Sequence, residues 1–312
     1  MQLEKISLVG ADFEIGQAKK GMIESSNILF KFLKKNYLFD FEIIKQVKSS
    51  IRTEPIHCFS DADLFRMDVA KYEELCHATT QGIYQNNRCL NFGGDHSIAI
   101  STIEASLRKN QKTHVLWIDA HADANCIGES LTGNFHGMPA YYLMSESSRR
   151  PLLLQWMQKT LKPEQMTYIG LRDLDPFEKV LLKKANITVF TADQITTEGM
   201  EHVLKYLRKK NDRYEKIHLS FDIDSMDPSY GICTGVPVSG GLRLKDVEQI
   251  FNLVSESGKL MNVDFVEVNP SLAASASELN HVYSLVLHLL EILFKLKPTF
   301  TAKESACAHT YY

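Results

Sequence analysis

Short apolar runs alternate with helical patterns along most of the chain, and no other feature of the sequence constrains the fold as strongly. Several segments between the runs repeat apolar residues at helical spacing, as Ile100, Ile103 and Leu107 do. The runs lie at residues 6–9, 41–47, 89–92, 115–118, 166–169, 187–190, 217–221 and 260–266. Continuous apolar strands alternating with helices predict a mostly parallel sheet that is covered on both faces. The sequence therefore predicts an α/β fold with about eight strands, which we expect to form one domain over residues 1–312.

Composition and charge argue against several classes of protein. The 312-residue chain has a formal net charge of −3, without the basic excess that favours binding to nucleic acids or membrane surfaces. The most apolar late segment, residues 282–296, contains His288, Glu291 and Lys295, which favours a packed amphipathic helix over a membrane span. We therefore expect no nucleic-acid partner and no membrane association.

Cysteine usage and the first residues of the chain favour a cytoplasmic protein. Six cysteines are present and no two form a C-x-x-C pair, so we expect reduced thiols. The first residues lack the long apolar core of a signal peptide. Residues 297–312 are polar, and we expect a C-terminal tail that is loose or packed on a neighbouring subunit.

The stretch 117–125, WIDAHADAN, places two aspartates and a histidine at alternate positions directly after a predicted strand. Alternate side chains of an extended backbone point the same way, so we expect Asp119, His121 and Asp123 to converge. Two carboxylates and an imidazole at one point form a plausible divalent-metal site. A solvated acidic loop is the alternative, but the preceding apolar run indicates that the charges emerge from a core.

Three other predicted strands end in residues of the same kinds. His96 follows one run, Asp222 and Asp224 follow a second at a spacing of two, and Glu267 follows a third. Ligand sites of open parallel sheets lie beyond the carboxyl ends of the strands, so we expect all these groups to meet. Each also has a structural explanation, as a buried histidine, a capped turn or a lone carboxylate. We expect Asp95 to cap the turn after the two glycines that precede it.

The possible metal ligands are too numerous for one catalytic ion. They comprise two imidazoles and four carboxylates, namely His96, His121, Asp119, Asp123, Asp222 and Asp224. Two ions that share bridging carboxylates would use this set and leave room for a bridging water. Oxygen-rich ligation with some imidazole and no thiolate favours Mn²⁺ over zinc or copper. The sequence therefore predicts a metal-dependent hydrolase.

Several motifs resemble those of a known family. They are GGDHS at 93–97, DAHADAN at 119–125, SFDIDSMDPS at 220–229 and EVNPS at 267–271. On these motifs the chain resembles the ureohydrolases, and most closely the arginases. Three further stretches favour arginases over their relatives: GNFHGMP at 133–139, IGLRDLDPFE at 169–178 and TGVPVSGGL at 234–242. The opening VGADFEIGQAKKG at 9–21 is also similar to that of arginases. The resemblance covers nearly the whole chain and implies a three-layer α/β/α sandwich around a parallel eight-stranded sheet.

The resemblance also implies how the ligands are shared between two Mn²⁺ ions per subunit, for which Co²⁺ could substitute. One ion would be bound by His96, Asp119, Asp123 and Asp222, and the other by Asp119, His121, Asp222 and Asp224. Asp119 and Asp222 would bridge the ions. Trimers and hexamers are common among the ureohydrolases, so a homo-oligomer is expected.

By the same resemblance, the reaction is hydrolysis of L-arginine to L-ornithine and urea. Glu267 would hold the guanidinium group by charge-assisted hydrogen bonds. Asp123 would relay a proton to the leaving amine. His136 matches the proton-shuttling histidine of the family, and the unperturbed pKa of histidine, about 6.5, suits that role.

Substrate choice depends on the far end of the ligand. The arginase pattern places Asn125 and Thr132 near the α-carboxylate and Asp175 near the α-ammonium, which Glu178 would help bind through water. Thr132 stands where serine is common but keeps the hydroxyl. Agmatine lacks the carboxylate and would leave these groups unpaired, which favours L-arginine.

The chain also departs from the arginase pattern near the expected substrate site. Val236 stands where threonine is usual, so one polar contact near the guanidinium is expected to be missing. Phe177 replaces a common glycine and could narrow the entrance, while Glu129 adds an acidic group to the substrate loop. Residues 231–233 lack the usual proline and alanine. We expect these changes to affect substrate affinity and metal preference more than reaction type.

Three alternatives remain at this point. Another ureohydrolase, such as formimidoylglutamase, agmatinase or a guanidino-acid hydrolase, is disfavoured by His136 and by the pair Asp175 and Glu178. A non-catalytic ureohydrolase-like protein would be expected to have lost metal ligands. A zinc deacetylase of related fold has a single-metal site and would not need His96 in addition to the two aspartate-rich motifs.

Overall fold

The computed structural model describes residues 5–37, 41–49, 69–151 and 154–296. Within these ranges eight strands form one sheet in which every pairing is parallel. The strands are β1 (Ile6–Phe13), β2 (Phe41–Ser49), β3 (Cys89–Phe92), β4 (Thr113–Ile118), β5 (Met166–Leu171), β6 (Thr188–Thr191), β7 (Lys216–Asp222) and β8 (Leu260–Val266). Their order across the sheet is β2-β1-β3-β8-β7-β4-β5-β6. Each predicted apolar run forms one of these strands, so the predicted parallel sheet is confirmed.

The helices of the described ranges cover both faces of this sheet. They are α1 (Ser25–Asn36), α2 (Val69–Asn86), α3 (Ala99–Lys109), α4 (Pro139–Met144), α5 (Pro176–Lys184), α6 (Ala192–Glu198), α7 (Glu201–Asn211), α8 (Leu244–Glu256) and α9 (Ala276–Phe294). Helix α9 contains most of the segment that the sequence predicted to be a packed helix, and one side of it is buried. No helix of the described ranges combines the length and apolarity that a membrane span requires.

Two hydrophobic cores lie on opposite faces of the sheet, because successive residues of a strand point to opposite sides. On β4, Leu116 and Ile118 belong to one core, while Val115 and Trp117 belong to the other. The first core is completed by α1, α7, α8 and α9, and the second by α2, α3 and α4. The result is the three-layer α/β/α arrangement that the resemblance implied.

The predictions for the cysteines and for the C-terminal tail fall only partly within the described residues. Cys76, Cys89, Cys126 and Cys233 are free thiols, as expected, while Cys58 lies outside the described residues. The predicted tail at 297–312, which holds the last cysteine, also lies outside them.

His114 is a buried histidine on β4, near the opposite end of the strand from Asp119. Its Nδ1 lies 2.7 Å from Asn211 Oδ1, its Nε2 lies 2.9 Å from Thr167 Oγ1, and its ring stacks on Tyr214. Burial lowers the pKa of His114 to about 4, although the hydrogen bond with Asn211 opposes the shift. The folded chain therefore holds this imidazole neutral at the pH where an exposed histidine takes up a proton.

This lowered pKa predicts a loss of stability in mild acid. The pKa in the unfolded chain is about 6.5, so the unfolded state takes up the proton first as the pH falls. We expect the stability advantage of the wild type over His114→Gln to shrink by about 2 kcal/mol between pH 7 and pH 5. Urea unfolding of both metal-free proteins at the two pH values measures this difference. An advantage that does not change with pH would contradict the prediction.

Candidate metal centre and active site

The strands that carry the predicted metal ligands and Glu267 are neighbours in the sheet, in the order β3-β8-β7-β4. Because the strands are parallel, their carboxyl ends lie at the same edge. His96 follows β3, Glu267 follows β8, Asp222 ends β7, and Asp119 follows β4. Segments that are distant in the sequence thus deliver their polar side chains to one place.

His96 lies at the centre of the first group of ligands. Its Nδ1 is 2.8 Å from Asp119 Oδ2, 3.0 Å from Asp123 Oδ2 and 3.3 Å from Asp222 Oδ2. Its Nε2 lies 2.8 Å from Ser220 Oγ on β7. A partner on the second ring nitrogen fixes the orientation of a metal-binding imidazole. The ring of His96 is therefore held with Nδ1 facing three carboxylates.

His121 lies at the centre of the second group. Its Nδ1 is 3.1 Å from Asp224 Oδ2 and 3.5 Å from Asp119 Oδ1. Asp119 therefore belongs to both groups, with one oxygen facing each histidine, and Trp117 Nε1 donates a hydrogen bond to Asp119 Oδ2 at 2.9 Å. This is the arrangement expected of a carboxylate that bridges two cations.

The chemistry of these groups fits divalent cations. His96 Nδ1 is buried and makes no hydrogen bond, although three carboxylate oxygens surround it. Burial and the charge of Asp119 raise the pKa of Asp123 to about 6, while burial and the charge of Asp224 raise that of Asp222 well above its usual range. These buried carboxylates repel one another, and bound cations would remove the energetic cost of that repulsion.

The backbone of the DAHADAN stretch differs from the prediction. Strand β4 ends at Ile118, and the residues that follow do not continue the sheet, so an extended backbone does not explain the convergence. Asp123 instead adopts a left-handed conformation with φ of 49°, and its carbonyl accepts a hydrogen bond from Ala140 N. The chain leaves the sheet after a last contact with β5, in which Asp119 N donates a hydrogen bond to Ile169 O at 3.0 Å. The predicted grouping is correct, but a loop produces it.

Two carboxylates of the site have a strained backbone. Five non-glycine residues of the described ranges have positive φ, and Asp123 and Glu267 are two of them, with φ of 49° and 64°. Such conformations cost about 1–3 kcal/mol each and persist where the surrounding structure imposes them. The orientation of these two carboxylates therefore comes at a cost in folding free energy.

Glu267 lies beside the ligand groups and is nearly inaccessible to solvent. Its Oε1 accepts a hydrogen bond from His96 N at 3.0 Å and lies 2.9 Å from His136 Nδ1, while its Oε2 accepts one from Gln17 Nε2 at 2.7 Å. Burial would raise the pKa of Glu267, but the charge of His136 outweighs it and keeps the pKa below its usual range. Burial would lower the pKa of His136, but Glu267 outweighs it and raises that pKa to about 9. The two groups therefore form an ion pair.

A cavity of about 200 Å³ opens above these residues. It is lined by His121, Asp123, Asn125, Ser130, Thr132, Asn134, His136, Gly137, Asp173, Asp175, Glu178, Asp222, Asp224, Val236 and Glu267. Sequence reasoning missed Ser130, Asn134 and Asp173. A usable signal existed for two of them, because Ser130, Thr132 and Asn134 repeat polar side chains at alternate positions.

The outer wall of the cavity is held by the start of α5. Asp175 Oδ2 accepts a hydrogen bond from Asn125 Nδ2 at 2.9 Å. Glu178 Oε1 accepts one from Ala124 N at 2.9 Å, and its Oε2 accepts one from Asp175 N at 3.0 Å. Burial raises the pKa of Glu178 to about 7, although these two backbone amides oppose the shift. Glu178 thus ties the loop that carries Asn125 to the helix that follows Asp175.

Not all of the departures from the family pattern lie at the cavity. Val236 lines it and is 41% exposed, so an apolar side chain does face the site. The ring of Phe177 packs on Tyr141 with centroids 6.0 Å apart, and neither Phe177 nor Glu129 is among the lining residues. Asp95 has the predicted capping role and accepts a hydrogen bond from Ser97 N, and Asp227 likewise accepts one from Ser229 N.

Arg172 stabilises the turn that carries the ligands of β7. Its guanidinium donates hydrogen bonds to Asp224 O at 2.6 Å, Ser225 O at 3.1 Å, Met226 O at 3.3 Å and Val238 O at 2.7 Å. The planar donor fork of arginine suits several carbonyls at once, whereas lysine offers a single flexible ammonium. Arg172 therefore joins the end of β5, the turn after β7 and the segment that contains Val236.

This geometry predicts that Arg172→Lys weakens the binding of divalent metal ions about tenfold, the lower end of the effect of outer-shell substitutions. The lysine keeps the charge but cannot hold three loops in place. Metal content after dialysis and titration calorimetry measure the change. Arg243→Lys is the matched control, because Arg243 pairs with Asp246 on an exposed helix start. Equal metal affinity in the wild type and Arg172→Lys would refute the prediction.

Comparison with known proteins agrees with this geometry. The model of the Arginase family matches residues 4–290. Arginase-2, mitochondrial, from Rattus norvegicus is 32% identical over 305 residues, which cover 94% of this chain and 85% of that protein. The crystal structure of Entamoeba histolytica arginase in complex with L-ornithine has a TM-score of 0.80 at 29% identity and covers 95% of this chain and 100% of its own. The arginase structure from Bacillus caldovelox has a TM-score of 0.81 at 28% identity, covering 94% and 99%.

Proposed function

The chain belongs to the arginase family of hydrolases, and we propose that it hydrolyses L-arginine to L-ornithine and urea with two Mn²⁺ ions. The observation that carries the proposal is the pair of ligand groups that share Asp119 beneath a cavity lined by Glu267 and His136. A non-catalytic relative would have no need for the complete set of six metal ligands. The oxygen-rich ligands favour Mn²⁺, and Co²⁺ could substitute for it.

When bound by the two ligand groups, the metal ions would supply Lewis-acid activation of a water molecule near neutral pH. Guanidinium is planar, delocalised and protonated, so its carbon is a poor electrophile and orientation is decisive. Glu267 remains ionised beside His136, and its oxygens retain acceptor capacity for the N–H groups of the substrate. The carboxylate thus holds the guanidinium carbon over the ligand groups.

Protons then move to the leaving nitrogen. The C–N bond to the ornithine nitrogen breaks, a C–O bond to the oxygen of water forms, and the departing amine needs a proton. Asp123 lies 3.0 Å from His96 Nδ1 among the ligands and also lines the cavity, so its carboxylate can accept a proton from water and pass it on. His136 lines the cavity 2.9 Å from Glu267 and delivers a proton between solvent and the amine.

The outer wall of the cavity selects the amino-acid end of the substrate. Asn125 and Thr132 face the α-carboxylate in this proposal, while Asp175 binds the α-ammonium and Glu178 supports it. Agmatine keeps the amine but lacks the carboxylate, so it leaves the polar groups of Asn125 and Thr132 without a partner. The apolar Val236 removes one polar contact near the guanidinium.

One assay tests the proposal and its nearest alternatives. Urea release is measured from L-arginine, agmatine and guanidinobutyrate, and loss of substrate from formimidoylglutamate, each with Mn²⁺, with Co²⁺ and without metal. We expect the highest kcat/KM for L-arginine with Mn²⁺. No urea from L-arginine with any metal sinks the proposal, and a preference for another substrate identifies a different ureohydrolase.

We also propose that the protein is a cytoplasmic homo-oligomer, either a trimer or a hexamer. The free thiols Cys76, Cys89, Cys126 and Cys233 support a reducing compartment. Sedimentation of the purified protein tests the oligomer, and fractionation of the source cells tests the compartment. A monomer at assay concentration, or recovery outside the cytoplasm, refutes the corresponding part.

A further inference from the structure

A loop between β1 and α1 forms one wall of the active site. It spans residues 14–21 and contains Gln17, which is only 3% exposed although the loop lies at the edge of the sheet. Gln17 Nε2 donates a hydrogen bond to Glu267 Oε2 at 2.7 Å. A residue near the start of the chain therefore contacts the carboxylate that we assign to the guanidinium.

The loop is fixed at several points. Glu14 Oε2 accepts hydrogen bonds from Gly21 N at 2.7 Å and Met22 N at 3.2 Å, which closes the loop on itself. Gly16 N donates to Asp95 Oδ2 at 2.7 Å, and Gly16 O accepts a hydrogen bond from His136 N at 3.1 Å. The loop is thus tied to the segment after β3 and to the segment that carries the proton-shuttling histidine. Its position does not depend on the contact of Gln17.

The amide of Gln17 also has a defined orientation. A Cβ atom added at Gly235 would lie 2.8 Å from Gln17 Oε1, so glycine at this position leaves room for the amide oxygen. With Oε1 on the side of Gly235, Nε2 faces Glu267. The reverse orientation would place the amide oxygen against the carboxylate, which repels it.

We propose that Gln17 is a positioning residue that sets the rotation of the Glu267 carboxylate and thereby the affinity for the guanidinium end of the substrate. The proposal rests on the proposed function. Among the described residues, Gln17 supplies the hydrogen bond at Oε2, because the other two donors to this carboxylate, His96 N and His136 Nδ1, both contact Oε1. A neutral amide makes this contact without adding a further positive charge beside the ion pair of Glu267 and His136, which a lysine or arginine would do.

The kinetic test compares Gln17→Met with Gln46→Met. Methionine matches the length of glutamine but cannot donate, and Gln46 is a control that loses side-chain hydrogen bonds to Asp12, Ser26 and Asn27 on the outer part of the sheet. We expect Gln17→Met to raise KM for L-arginine about tenfold with little change in kcat, as for loss of a hydrogen bond to a charged group. L-Ornithine lacks the guanidinium, so its inhibition constant should stay within about twofold.

If Gln17 had only a structural role, Gln17→Met would lower the melting temperature but would change the constants for L-arginine and L-ornithine alike. We expect both variants to lose some thermal stability, but only Gln17→Met to discriminate against L-arginine. Equal rises in the constants for L-arginine and L-ornithine, or an unchanged KM, would overturn the proposal.

A crystal structure of Gln17→Met decides the same point without turnover. We expect the Glu267 carboxylate to rotate away from the position it holds in the wild type. An unrotated carboxylate overturns the positioning role. The crystal structure tests the positioning role of Gln17 independently of the proposed function. Absence of urea release by the wild type would refute the proposed function, but the rotation of Glu267 could still be measured.

Discussion

Replacing Asp119 with asparagine is expected to remove bound metal from both ligand groups and to lower urea release more than about a thousandfold. Asp119 is the carboxylate whose two oxygens face the two histidines, at 2.8 Å from His96 Nδ1 and 3.5 Å from His121 Nδ1. The amide has nearly the same shape but no negative charge, and its nitrogen cannot bind a cation. Metal content by atomic emission and the urea assay measure the two effects.

Asp227→Asn is the matched control for this substitution. Asp227 lies at the same edge of the sheet, but its Oδ1 accepts a hydrogen bond from Ser229 N and its Oδ2 accepts one from Gly240 N; the single amide oxygen of asparagine can keep the cap on Ser229 N. We expect Asp227→Asn to keep its metal and its activity. Full metal content in Asp119→Asn would refute the shared site.

Replacing Glu267 with glutamine is expected to lower kcat/KM for L-arginine about 10²- to 10³-fold while leaving the metal content unchanged. The substrate guanidinium would then be buried without an opposite charge. Glu267 touches the backbone of His96 but none of the ligand atoms of the two groups, so metal binding should survive. The inhibition constant of L-ornithine provides the internal control, because ornithine does not reach Glu267 with a guanidinium.

Two outcomes would contradict this prediction for Glu267→Gln. If Glu267→Gln keeps its metal and its kcat/KM for L-arginine, Glu267 does not hold the guanidinium. If the metal is lost, Glu267 supports the metal centre itself, and its role differs from the one proposed.

The sequence predicted the sheet and the gathering of ligands for the same physical reason. In a parallel sheet every strand ends at the same edge, so polar residues directly after apolar runs must come close to one another. His96, Asp222 and Glu267 could be placed without knowing the order of the strands. Turn chemistry predicted the cap, because an aspartate such as Asp95, directly after two glycines, commonly accepts backbone hydrogen bonds.

Other parts of the site could not be predicted from local pattern. The period of two in the DAHADAN stretch indicated a continued strand, but whether a strand continues depends on pairing partners that only the tertiary structure supplies. Gln17 contacts Glu267 across 250 positions of sequence, and Arg172 contacts backbone carbonyls, which have no signature in the sequence. A glutamine in a loop and an arginine after a strand look like ordinary surface residues until the chain is folded.

The sharing of Asp119 between β3, β4 and β7 also has a consequence for the durability of the fold. Ions bound there act as cross-links between segments far apart along the chain, and the unfolded chain cannot present the same ligands together. Binding to the folded state alone adds a free energy that grows with the logarithm of the concentration of free ion. The free energy of unfolding would therefore depend on the supply of the ion as well as on the two hydrophobic cores, and scarcity of metal would lower stability as well as activity.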